Sequence, residues 1–320
     1  VMVVAKEGMA RSFEELFQEV KSMSWEEWIE PDYQIIVNAR SYKSKLKSIR
    51  STQSITKKAI IERLKAKTRS RFFPETGAEF KIEVLIEEDH SKILIDTTGD
   101  SLHKRGYRID AGEAPLKETI AAALVMLSYW NPERPLLDPM CGSGTILIEA
   151  AMIGRNIAPG LSRSFLAEHY AKTPTEIWKR VRANAYKEIS QDIKMNLYGG
   201  DIDADLIDIA KKNAIEAGVS NDITFEARDI SRQDFSTDYG VMITNAPYGQ
   251  RVGSDREIKH IYKSLFEIMR DQQTWSYYIL SADETLENAL QKNASRKRKL
   301  YNGNIKVDYY QFYGPRPPRD

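Results

Sequence analysis

Apolar residues recur along this chain with two different periodicities, and the place where the pattern changes divides it. Val1 to Val4 reads as a strand already under way, and the chain opens on Val rather than Met, so we expect it to begin inside a longer protein. Ser12 and Glu15 have the spacing of a capping box, and Phe13, Leu16, Phe17 and Val20 give the following helix one apolar face. A short strand follows at 34–37. Residues 54–67 predict an amphipathic helix, apolar at Ile55, Ala59, Ile60 and Leu64. The stretches 80–86 and 92–97 alternate like the arms of a hairpin. Together these elements predict a small α+β module over residues 1–106.

From residue 107 the pattern becomes that of an α/β fold. A buried helix at 119–130 precedes a short apolar strand at 135–138, and a glycine loop leads into a helix at 145–153. Strands at 197–201, 223–226, 241–244 and 277–280 then alternate with helices at 205–217, 256–269 and 284–291. Short apolar strands separated by helices predict a doubly wound, mostly parallel sheet over residues 107–320. The tail departs from it: 298–301, then Asn302-Gly303, then 305–313 reads as an antiparallel hairpin with a favoured turn dipeptide.

Composition narrows the class. A hydrophobic fraction of 42% is ordinary for a globular chain. The single cysteine, Cys141, excludes an internal disulfide and a Cys-rich zinc site, and suits a reducing compartment. His90, His103, His169 and His260 are scattered, and no metal site is expected. The longest apolar run, 120–127, is far short of the ~20 residues a bilayer demands. We expect a soluble, cytoplasmic protein. Its net charge of +1 conceals an asymmetry. From Arg40 to Arg71 twelve cations face one acid, a local +11, and from Lys292 to Asp320 eight cations face two acids. Charge of that density points to a polyanion as partner, nucleic acid above all. Lys57, Lys58, Lys65 and Lys67 on the basic helix are the candidate phosphate contacts. Lys104, Arg105 and Arg108 could add more, or their segment could serve as a structural latch.

Four motifs carry the candidate chemistry. The first is Asp138-Pro139-Met140-Cys141-Gly142-Ser143-Gly144-Thr145, a strand tip, glycine turn and helix start. Gly142 and Gly144 allow close approach of the backbone to a ligand. Leu147 stands where a dinucleotide fingerprint has its third glycine, which argues against a nicotinamide oxidoreductase. Asp138 would repel a pyrophosphate but favour a sulfonium or ammonium group. The second motif is Gly200-Asp201-Ile202-Asp203, where Asp201, and less surely Asp203, could accept both hydroxyls of a ribose. In the third, Arg228-Asp229-Ile230, Asp229 could accept from an adenine amino group while Ile230 packs on its ring. The fourth is Asn245-Ala246-Pro247-Tyr248-Gly249. If the Asn245 side-chain oxygen and the Ala246 carbonyl each accept one hydrogen of an exocyclic amine, its lone pair is freed to attack a methyl donor. Pro247 aims the carbonyl, and Tyr248 offers a face for the base. Each motif alone could be an ordinary turn. Their order is what speaks for chemistry.

In that order the motifs resemble a class I S-adenosylmethionine-dependent methyltransferase of the amino-group type. Together with Leu102-His103-Lys104-Arg105-Gly106-Tyr107-Arg108 they resemble the THUMP-domain RNA methylases, bacterial 23S ribosomal RNA guanine-N2 methyltransferases most of all. The resemblance spans nearly the whole chain. It implies that residues 1–106 form a THUMP-like RNA-binding module and 107–320 a Rossmann-like methyltransferase domain. The implied cofactor is S-adenosylmethionine, held by Asp138, Met140, Cys141, Gly142, Gly144, Thr145, Asp201, Ile202, Asp203, Asp229 and Ile230. Asn245, Ala246, Pro247 and Tyr248 are the implied reacting centre, and 23S ribosomal RNA the implied partner. Ala246 departs from the family's usual proline, although the carbonyl survives the change. Adenine-N6 methylation of RNA or DNA, and a non-catalytic RNA-binding assembly factor, remain open alternatives.

Overall fold

A computed structural model of the chain describes residues 1–68, 70–109, 116–233, 237–247 and 255–318. It divides into two compact units, Val1–Leu102 with Ser164–Asn184, and His103–Arg163 with Ala185–Asp320. The excursion of 164–184 into the first unit has no counterpart in the sequence pattern. It is made by aromatic packing: the Tyr170 ring lies 4.5 Å from that of Phe80, and the Tyr170 hydroxyl donates to the Asp96 carbonyl.

The first unit is a four-stranded sheet under two helices. Its elements are β1 (Met2–Met9), α1 (Phe13–Lys21), β2 (Gln34–Tyr42), α2 (Ile49–Lys67), β3 (Glu79–Glu87) and β4 (His90–Asp96), with strand order β1-β4-β3-β2. Alternate β3 residues Phe80, Ile82, Val84 and Ile86 are buried, and Leu16, Val20, Ile60 and Leu64 of the helices cover them. The Ser12 hydroxyl accepts the Glu15 N–H at 3.1 Å, while the Glu15 carboxylate accepts from Arg11, one residue earlier than the capping-box pattern predicts. Helix α2 begins five residues before the expected point, because Ser48 caps it by accepting the Ser51 N–H. Strand β2 runs on to Tyr42 because it pairs in parallel with β3 as far as Glu87.

The second unit carries α3 (Glu118–Met126), β5 (Leu136–Asp138) and α4 (Thr145–Gly154). After α5 (Thr175–Lys187), most of which belongs to the first unit, come β6 (Leu197–Asp201), α6 (Ala204–Glu216), β7 (Ile223–Ala227) and β8 (Val241–Asn245). The remaining elements are α7 (Asp255–Asp271), β9 (Ser276–Ser281), α8 (Leu286–Ala289), β10 (Arg296–Asn302) and β11 (Ile305–Phe312). The seven strands lie in the order β10-β11-β9-β8-β5-β6-β7. Five are parallel, and the tail adds β11 and β10 antiparallel at the edge, as the sequence predicts. Helices α3, α4 and α6 pack one apolar face of the sheet, and α7 and α8 the other. Every residue of β9 is buried, as expected for a strand covered on both sides. Helix α3 stops at Met126 where the Ser128 hydroxyl donates to the Val125 carbonyl and accepts the Trp130 N–H. Among the described residues no helix is long and apolar enough to cross a membrane.

Candidate active site

Strand order reverses at β5: the connections run outward to β6 and β7 on one side, then to β8 and β9 on the other, with all five strands parallel. The crevice at the carboxyl ends of such strands is where open α/β sheets bind ligands. Asp138, Asp201 and Asn245 end three of these strands. Asp229 follows two residues after the end of β7, which is parallel to them, so the four sequence motifs meet at one end of one sheet.

The glycine loop is fixed to its neighbour strand. Cys141 N–H donates to the Gly200 carbonyl at 2.9 Å, and Gly142 N–H to Asp201 Oδ2 at 2.8 Å. Gly144 has φ +80°, and a Cβ there would lie 2.9 Å from the Phe225 ring and 3.0 Å from Ala210. A side chain is excluded on both counts. Above Gly142 the space is open, with nothing within 4 Å of a built Cβ. Met140 is partly buried, whereas burial pushes the Cys141 thiol well up, which makes it a packing group rather than a nucleophile.

The four aspartates differ in what holds them. Asp138 is 1% exposed, and burial raises its carboxyl to about 7, with the Met140 N–H opposing and the Asp201 charge adding. Among the described residues it has no cationic partner. Burial also raises Asp201, although N–H groups of Asp203, Gly142 and Ile202 oppose it. Asp203 is committed elsewhere: its Oδ1 caps α6 by accepting from Asp205 at 2.9 Å and Leu206 at 3.4 Å. Ile202 is 77% exposed at the same tip. Burial pushes Asp229 up, but the Ser231 hydroxyl and N–H together with His260 outweigh it and leave the carboxyl below its usual range. Ile230 is buried in the core with Leu137, Met242 and Ala246 rather than presenting an open face.

At the tip of β8 the Ala246 N–H donates to the Leu280 carbonyl at 3.1 Å, which fixes the turn against β9. The Asn245 Oδ1 is buried and, among the described residues, has no hydrogen-bond partner. A buried acceptor without a donor costs about 1–3 kcal/mol, so its retention calls for a ligand that supplies the donor. Pro247 is partly buried; Tyr248 and Gly249 lie outside the described residues.

Two residues expected to touch RNA are committed to the fold of the second unit instead. Arg105, 9% exposed, pairs with Glu149 of α4 at 3.3 Å. Arg108 pairs with Glu118 at 2.7 Å and donates to the hydroxyls of Ser143 and Thr145 at 3.1 and 3.0 Å. Its guanidinium thus supports the glycine loop. The reason is local: Gly106 has φ +104°, and the turn it makes directs both arginines inward. Lys104 remains exposed. On α2, Lys58, Lys65 and Lys67 are exposed, whereas Lys57 pairs with Glu75 at 2.6 Å.

Sequence reasoning missed two supporting residues. His260 of α7 places Nε2 at 3.1 and 3.2 Å from the Asp229 oxygens. Asn213 of α6 donates to the Ser143 carbonyl at 3.2 Å. Neither lies near its partner in sequence. Among the described residues no group of three or more His, Cys, Asp or Glu side chains is placed to hold a metal ion.

Comparison with known proteins gives two family matches. A family model described as an RMKL-like methyltransferase domain matches residues 105–311, and the THUMP domain model matches residues 10–96. The chain is 42% identical over 315 residues to the Bacillus subtilis (strain 168) protein named "Putative RNA methyltransferase YpsC", covering 97% of this chain and 81% of that one. The crystal structure of SMU.472 complexed with SAH superposes with a TM-score of 0.91 at 43% identity, covering 99% of this chain and 84% of that one. A structure from Listeria monocytogenes, named as a predicted N6-adenine-specific DNA methylase, gives a TM-score of 0.92 at 44% identity, covering 98% and 82%.

Proposed function

The chain belongs to the RMKL-like methyltransferase family, with a THUMP domain ahead of the methyltransferase domain, and from that premise we propose that it methylates an exocyclic amino group of RNA, guanine N2 of 23S ribosomal RNA, from S-adenosylmethionine. The observation that carries the reading is the buried Oδ1 of Asn245, without a partner among the described residues, at the strand tip beside the glycine loop.

The residues present fit the cofactor. Asp201 would hold the ribose hydroxyls, Asp229 the adenine amino group, and the Gly142–Gly144 backbone the amino-acid part, with Asp138 facing its positive charge. When bound there, S-adenosylmethionine supplies a methyl group on a cationic sulfur. The chain's own task is to make a poor nucleophile competent. An exocyclic amine is flat because its lone pair is delocalised into the ring. Asn245 Oδ1 and the Ala246 carbonyl accept its two hydrogens and draw the nitrogen toward a tetrahedral shape. The nitrogen can release its proton after attack, so no general base is required. The base must leave its stack to reach this point, at a few kcal/mol.

An RNA substrate is supported by the THUMP match, the name of the Bacillus relative and the exposed cations of α2. Adenine N6 is the second reading, favoured by the name of the Listeria structure. One experiment separates them: the protein, labelled S-adenosylmethionine and unmodified 23S ribosomal RNA, followed by mass spectrometry of nucleosides. N2-methylguanosine is the expected product. N6-methyladenosine moves the assignment to the second reading, and label in neither overturns both.

The Asp138 carboxyl adds a pH dependence. Its pKa is raised in the folded chain from 3.8 to about 7, so the stability it contributes is complete below the lower value and is lost as pH rises through the higher. A cationic ligand beside it favours the carboxylate. Cofactor affinity therefore rises with pH up to about 7, by at most about tenfold per unit, and levels off above. Calorimetry from pH 5.5 to 8.5 checks this. Asp138→Asn should bind more weakly with a flat profile over the same range, and a flat wild-type profile would remove Asp138 from the cofactor's charge.

A further inference from the structure

The cationic tail takes no part in the site described above, yet the sheet places it beside that site. We propose that the β10–β11 hairpin is a second RNA-contact element, within the methyltransferase unit, that grips the backbone of the strand carrying the target base. The proposal rests on the reading of RNA as substrate.

Register fixes the geometry. Asn245 of β8 pairs with Leu280 of β9, Leu280 with Tyr309 of β11, and Tyr309 with Arg298 of β10. The four residues form one row across the sheet. At about 4.8 Å between strands, Arg298 stands about 14 Å from Asn245. A few nucleotides of single-stranded RNA span that distance. Direction matters as much. Strand β11 runs against β9, and its pairing with β9 ends where Asp308 meets Ser281, so Ile305 to Val307 continue past the end of β9. Three residues carry the hairpin tip about 10 Å beyond it, on the side where Asp138, Asp201 and Asn245 lie.

Three of the five cations on the hairpin have no ion-pair partner among the described residues. Strand β10 reads Arg296-Lys297-Arg298-Lys299, and Asp308 is the one acid on either strand. Lys297 is held by Glu287 at 2.6 Å, and Lys306 faces Glu284 at 3.8 Å. Among the described residues Arg296, Arg298 and Lys299 have no ion-pair partner. Among the described residues the Arg298 Nε is a buried donor without an acceptor. Arg296 and Arg298 lie on one face of β10 and Lys299 on the other, so the three flank a phosphate backbone that crosses this edge strand, and Tyr301, 67% exposed on the face of Lys299, offers a ring on which a base can stack. The rival explanation is that cations merely protect an edge strand from pairing with other chains.

The test is the variant Arg296→Gln, Arg298→Gln, Lys299→Gln, with binding to in vitro-transcribed 23S ribosomal RNA measured by filter retention across a salt series. Unchanged cofactor affinity by calorimetry shows that the variant is folded. Each lost single-strand phosphate contact removes about 0.7 from the slope of log affinity against log salt, so the slope should fall by about 2 and affinity at 0.1 M salt by on the order of 10²-fold. Wild-type slope and affinity in the variant overturn the hairpin proposal alone, and aggregation with RNA affinity intact does the same in favour of edge protection. Wild-type protein that does not bind this RNA overturns the substrate reading, and the hairpin proposal with it.

Discussion

Replacing Asn245 with alanine should lower the single-turnover rate of methyl transfer by about 10²–10³ while cofactor affinity stays at the wild-type value. The loss follows from the site's geometry. Asn245 Oδ1 is one of the two acceptors proposed for the amine hydrogens, and it is buried where water does not replace it. The same fact predicts an opposite effect on stability. Among the described residues this acceptor has no donor in the free protein, so removing it relieves a desolvation cost of about 1–3 kcal/mol. Asn245→Ala should therefore unfold at the wild-type temperature or above it. A residue that only supported the fold would lose rate and stability together. Asn245→Asp keeps an acceptor and should be milder. A wild-type rate in the alanine variant, measured at saturating cofactor with nucleoside analysis, would mean that the amine is activated elsewhere.

Much of the architecture was legible because periodicity reports burial, and burial decides strands in a sheet covered on both faces. Strand β6 matches its expected bounds, and Asp138, Asp201 and Asn245 end their strands as the motifs predict. Local chemistry was legible too, since the glycines at 142 and 144 take the positive φ the loop needs. What the sequence did not show is the partner of a charge. Arg105 and Arg108 sit in a cationic stretch and read as phosphate contacts or as a structural latch, and nothing in the sequence pointed to their carboxylates, Glu149, 44 positions on, and Glu118. Likewise Asp203 looks like a ribose ligand until its carboxylate is seen capping α6. The excursion of 164–184 depends on Tyr170 reaching Phe80, a contact that leaves no periodic signal. The end of the chain is the converse case. Its charge was visible at once, but its place in the row of Asn245 emerged only from three successive strand registers.

The largest loss of stability is expected at Glu149. This carboxylate is 2% exposed in the middle of α4, where burial raises its pKa and Arg105 opposes that rise. It accepts from Arg105 Nε at 3.4 Å and Nη2 at 3.3 Å, and from the Tyr107 hydroxyl at 3.1 Å. Glu149→Ala takes this carboxylate away from the buried Arg105 guanidinium and leaves a cavity beside it, and breaking a buried pair from one side costs about 3–5 kcal/mol. For a unit of this size that lowers the unfolding midpoint by on the order of 10 °C. Removing the whole polar cluster should cost much less, because well-packed apolar residues can replace a buried pair at little net loss. The combination Arg105→Met, Tyr107→Phe, Glu149→Leu should thus recover most of the midpoint that Glu149→Ala loses. Differential scanning calorimetry on the three proteins decides it. An unchanged midpoint for Glu149→Ala would show that Arg105 does not depend on its carboxylate, and would return its guanidinium to the candidates for RNA contact.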